Sequence, residues 1–138
     1  MLRLLFTLAV AAWFGSALCV TFVVAPVAHR DFPAAEARRF LRPVFPRAHR
    51  LGLGCASLAL TTLVLGRAGL PEAALARLAL PVTLAFAAEL VSGEWLLPRL
   101  RELNSADPRY AGLHQVMAML NMATLGALAL ALAGAVLR

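Results

Sequence analysis

Lysine is absent from this sequence, tyrosine occurs once, cysteine twice, and charged residues make up only 14% of the 138 positions. Each shortage excludes something. A soluble domain carries about 25% charged residues, so a water-facing globular surface is ruled out. Cys19 and Cys55 form no CxxC pair and no extracellular disulfide framework. Each lies inside an apolar run and reads as a small packing residue. There is no GxSxG, HExxH, Walker loop or GxGxxG. Ser57 and Ser92 have no neighbouring base, so the chain is not expected to be an enzyme.

What the chain does have is apolar length. Hydrophobic residues make up 62% of it, which is the composition of an integral membrane protein. A bilayer core needs about 20 mostly apolar residues per helix. Four segments qualify, at about 4–28, 49–66, 73–97 and 113–137. The expected fold is all-α, one domain over residues 1–138, with four transmembrane helices in a bundle. The first run resembles a signal peptide at Arg3 and at Gly15, Ser16 and Ala17. It continues through "VTFVVAPVA", too long for a cleaved segment, so a retained span is expected. Pro71 is placed to start the third span and Pro98 to end it, with a kink or shifted start at Pro81.

All basic residues are arginines, and the net charge is +6. They sit in short connections, which argues for a membrane surface and against nucleic acid. The longest connection holds "DFPAAEARRFLRPVFPRAHR". Asp31 is placed to cap a short helix near Pro33. Residues 31–47 read as a segment on the membrane surface, its basic side Arg38, Arg39 and Arg42 facing lipid. The third connection carries the turn chemistry "NSADP". Connections one and three hold Arg30, Arg38, Arg39, Arg42, Arg47, Arg50, Arg99, Arg101 and Arg109. The other side holds Arg3, Arg67, Arg77 and Arg138. The positive-inside bias then places connections one and three in the cytoplasm and both termini outside, in a bacterial inner membrane. Small residues recur every four positions at Ala11, Gly15 and Cys19, and at Ala123, Ala127, Ala131 and Ala135. That spacing lets helix backbones approach closely.

The polar residues within the spans are few. His29, His49, His114 and Glu94 all fall at the cytoplasmic span ends. As a layer they are a possible metal site, and His49 with His114 could serve as axial ligands of haem b. The simpler reading is wet interfacial histidines and no cofactor. Glu89 lies eight residues before Leu97, about 12 Å deep at 1.5 Å per residue. Intramembrane acids are rare and usually face the bundle interior or a water-filled cavity. Thr21, Asn121 and Thr124 are its expected polar partners. It is either a proton- or cation-handling group or a hydrogen-bonding tie between helices. Glu89 and Glu94 are five residues apart, about 140° around a helix, so they form no acid/base pair.

Three segments carry a family resemblance: "WFGSALCVTFVVAPVAHRDFP", "FLRPVFPRAHRLGLGCASL" and "DPRYAGLHQVMAMLNMATL". In order and spacing they resemble the transmembrane protein 205-like family, small four-span membrane proteins with a domain of unknown function. The matching positions are Gly15, Phe22, Pro26, His114 and Asn121. His29 departs from an expected aromatic and Glu94 from an expected asparagine. The resemblance implies four spans and a membrane location, and no reaction. The expected function is a small membrane protein of the transport or resistance type, or an accessory subunit of a larger membrane complex. The alternative is a haem- or metal-binding cytochrome-like protein using His49 and His114. Expected partners are anionic membrane lipids and other subunits, either copies of this chain or another membrane protein.

Overall fold

The computed structural model describes residues 1–103 and 107–136. Asn104, Ser105 and Ala106 of the expected turn, and Leu137 and Arg138 at the end of the fourth span, lie outside the described residues.

Four long helices account for nearly all described residues. They are α1 Leu2–Asp31, α2 Ala34–Gly69, α3 Glu72–Glu102 and α4 Pro108–Val136. Each is long and apolar enough to cross a membrane. α1 packs along α2 and α4, and α3 packs along α2 and α4, giving an up-and-down ring of four. Its core joins Phe6, Val10 and Trp13 of α1 to Ala56 and Leu63 of α2, Val82 and Ala85 of α3, and Leu128 and Ala131 of α4. The exterior is apolar, with Leu8, Phe22, Leu65, Leu84 and Leu130 exposed, while Thr62, Glu89, Ser92 and Thr124 are buried. That polarity suits a protein whose solvent is lipid. Arg3 Nη2 donates to the Ala135 carbonyl at 2.6 Å, tying the start of α1 to the end of α4.

The helices run further than hydropathy suggests. α2 begins at Ala34, so residues 34–47 are its first turns and not a separate surface helix. Only Phe32 and Pro33 separate α1 from α2. Asp31 caps nothing; it takes both bonds from Arg30, at 2.7 and 3.2 Å. Pro43 and Pro46 lie inside α2. A proline has no N–H to give the carbonyl four residues back, so Pro46 leaves the Arg42 carbonyl without its helical donor. Arg101 of α3 replaces it, its Nη2 donating to that carbonyl at 2.6 Å.

Two further prolines, Pro26 and Pro98, are accommodated by widened turns. α1 widens to π-helical turns over Val20–Val24, and α3 does so over Val91–Leu96. In each, the closing bond spans five residues, Ala25 N–H to Val20 and Leu97 N–H to Ser92. In each, a proline follows the segment by two residues, Pro26 and Pro98. Its ring would crowd the carbonyl one α-turn earlier, and the wider turn makes room. Pro98 therefore does not end the span, because α3 continues to Glu102. Pro71 does stand at the start of α3, as its N-cap, and Pro81 is buried within it.

The small-residue stripes divide. Ala11, Gly15 and Cys19 are exposed, because α1 buries Phe6, Ala9, Val10 and Trp13 instead. On α4 the stripe enters the core at Ala131 and Ala135.

Candidate functional site

The two π-helical segments face each other across the bundle, and between them lies a cavity of about 210 Å³. Thr21 and Ser92 line it from the widened turns. Ser16, His49, Glu89, His114, Asn121 and Thr124 add to its polar wall.

Glu89 does not meet the partners expected from sequence. Its Oε1 lies 2.5 Å from His49 Nδ1. The side chains are 10% and 17% exposed, so the pair is shielded on nearly all sides. Asn121 instead donates from Nδ2 to Thr21 Oγ1 at 2.7 Å, bridging α4 to α1. The expected histidine layer is also rearranged. Because α2 begins at Ala34, His49 lies 15 residues inside it, roughly 22 Å from its start. His49 is thus level with Glu89. The pair also sits within a turn of Arg47 and Arg50, both exposed, so Glu89 lies toward the arginine-rich end. His114 lines the cavity from α4 and is stacked on Tyr110, ring centroids 6.0 Å apart. His29 and Glu94 are exposed and lie outside this cavity. Among the described residues no three His, Cys, Asp or Glu side chains assemble as a metal-ligand group.

Two glycines let the pair form. A Cβ on Gly52 would stand 2.8 Å from Trp13 Nε1 and 3.0 Å from Glu89 Oε1. A Cβ on Gly93 would stand 3.2 Å from His49 Cβ. Bare backbone at both positions admits the indole, the carboxyl and the imidazole into one space. Trp13 is 1% exposed, and its Nε1–H is buried without an acceptor among the described residues. It lines the cavity beside Glu89. Sequence reasoning passes over Trp13, Gly52 and Gly93, and weighs Ser92 only as a serine without a neighbouring base. A tryptophan or glycine within an apolar run carries no signal until the partner helix is known.

A second cavity, of about 530 Å³, adjoins the first along Thr21, Ala25, Phe45, His114 and Met117. Arg38, Arg42, Arg101 and His29 line it. Arg38 and Arg42 therefore face an inter-helix recess, while Arg39, also exposed, does not. Of the positions carried by the family resemblance, Pro26 borders this recess, Asn121 the inner cavity and His114 both. Phe22 and Gly15 face outward. At the start of α4, Arg109 binds Asp107 at 2.8 Å and holds its carboxyl down at about 2.

No curated protein and no solved structure matches the chain. One family model does, over residues 8–109. That span takes in the first two segments of the resemblance and stops short of His114 and Asn121. It gives no support to the narrower transmembrane protein 205-like name. With most of its length matched, this four-helix chain belongs to the family of the domain of unknown function DUF4149.

Proposed function

We propose that this membrane protein is of the transport type and handles protons or small cations through the His49–Glu89 pair. The observation that carries the reading is that pair itself, an acid and a base 2.5 Å apart, shielded, and set in a polar cavity between helices. Ionisable groups within membrane bundles pair with one another and mark ion pathways and proton relays. The cavity has room for several waters, each taking about 30 Å³ in the liquid. The unpartnered Trp13 N–H supplies a donor for one of them beside the carboxyl. The second cavity continues from there to the arginine-rich end.

In this reading connections one and three face the cytoplasm of a bacterial inner membrane and both termini lie outside. The chain works as an oligomer or with another membrane subunit, and catalyses no covalent reaction. Kinship to the transmembrane protein 205-like proteins is part of the proposal, on the strength of the three quoted segments. The haem alternative has less support. His49 and His114 do line one cavity, but its 210 Å³ is below the roughly 300–1,000 Å³ of pockets for drug-sized ligands.

The test is proton flux into proteoliposomes under an imposed pH gradient, read by an internal pH dye. Wild-type protein is expected to collapse the gradient and Glu89→Gln to leave it standing. Equal rates from protein-free liposomes and wild type would overturn the reading.

A further inference from the structure

We infer that the recess at the arginine-rich end is a binding site for the phosphate headgroup of an anionic phospholipid. This inference is independent of any flux through the inner cavity. Three guanidinium groups, Arg38, Arg42 and Arg101, border one recess together with His29. Among the described residues lining it there is no carboxylate. The chain nonetheless has seven acids, so this local excess of positive charge is not a reflection of composition alone. Guanidinium is the side chain best matched to phosphate oxygens, since its planar fork donates two parallel bonds.

The recess is also built. Arg101 is fixed by its 2.6 Å bond to the Arg42 carbonyl, the carbonyl that Pro46 leaves without a helical donor. One strand of the binding surface is thus anchored to the other across α2 and α3. Below the arginines the wall is apolar, with Leu41, Leu97 and Leu100 each less than 8% exposed. A free inorganic anion has no use for that wall, whereas an acyl or glycerol moiety does. The position suits a lipid as well. The recess lies at the helix ends, near the exposed apolar side chains Phe22, Val23 and Val27 of α1.

The experiment is native mass spectrometry of the detergent-purified protein titrated with dioctanoyl phosphatidylglycerol. Dioctanoyl phosphatidylcholine and inorganic phosphate serve as the comparison ligands. The expected result is one phosphatidylglycerol retained, with phosphatidylcholine bound weakly and inorganic phosphate unable to displace it. Arg38→Gln/Arg42→Gln should weaken phosphatidylglycerol binding by about tenfold or more. Arg39→Gln should change it by less than about twofold, because that side chain lies outside the recess and is screened. Both altered positions are exposed, and helical content by circular dichroism checks the fold. Arg101→Gln provides a second, independent loss. Equal retention of the two lipids, or an equal loss in Arg39→Gln, would overturn the site. Displacement by millimolar phosphate would make it an anion site and overturn the lipid assignment.

Discussion

His49 of α2 and Glu89 of α3 meet at 2.5 Å, joining two helices beside a polar cavity in the bundle interior. Two glycines and two widened turns surround that contact. Bare backbone at Gly52 and Gly93 makes room for the pair beside the buried Trp13 indole. Its energetics follow from its shielding. Removing one partner leaves the other a polar group with little water, which costs about 1–3 kcal/mol. Glu89→Leu and His49→Leu are each expected to lower stability by that order, measured by thermal unfolding in detergent. The double variant is expected to lose less than the sum, since contacting residues couple. Additive losses would mean that the two side chains act separately.

Gly52 tests the close approach. A methyl there would stand 2.8 Å from Trp13 Nε1 and 3.0 Å from the Glu89 carboxyl. Gly52→Ala is expected to destabilise by about 1–3 kcal/mol, as overpacking does. Gly15 is the control, with nothing within 4 Å of an added Cβ. Gly15→Ala is expected to be neutral or to stabilise by about 0.5–1 kcal/mol. Thermal unfolding of both variants, side by side, makes the comparison.

The Arg101 bond to Arg42 depends on a missing donor. Pro46→Ala restores a backbone N–H to the Arg42 carbonyl, so that carbonyl no longer needs the guanidinium. Arg101→Gln is therefore expected to cost about 0.5–1.5 kcal/mol in the wild-type chain. It is expected to cost measurably less in the Pro46→Ala background. A double-mutant cycle in unfolding free energy reads the difference. A cost that is the same in both backgrounds would show that the two changes are unconnected.

Asp107 gives a pH dependence with a fixed sign. The Arg109 side chain, bonded to it at 2.8 Å, holds its carboxyl down at about 2. A depressed carboxylate contributes its stabilisation above the unfolded value and loses it as pH falls through the folded one. The ion pair is thus present at every pH above about 4 and lost on acidification toward about 2. Carboxyl carbon-13 chemical shifts of labelled aspartate are expected to place the midpoint there. Arg109→Gln is expected to move it up toward the ordinary aspartate range. An unmoved midpoint would show that Arg109 is not its cause.

Much of the fold was legible from hydropathy. Four apolar runs gave four helices, and Glu89 stood out as an acid in one of them. The helix ends were not legible. Pro33, Pro43 and Pro46 with four arginines make residues 31–47 look like a connection, yet the chain from Ala34 is helical. A bond from Arg101 to the Arg42 carbonyl satisfies the acceptor that Pro46 leaves unpaired. That single misreading moved His49 to a helix end and hid its contact with Glu89. Pro98 misled in the same way, because a widened turn lets a helix pass a proline. The small-residue stripe of α1 pointed outward because periodicity every four residues does not say which face is inside. Gly52 and Gly93 gain meaning only when the opposing helix is in place.

The most direct measurement is proton flux in proteoliposomes containing wild-type protein, Glu89→Gln, His49→Gln, the double variant, or Arg39→Gln. The account predicts flux from wild type and Arg39→Gln, and none from either single variant or the double. Undiminished flux from Glu89→Gln or from His49→Gln would contradict it.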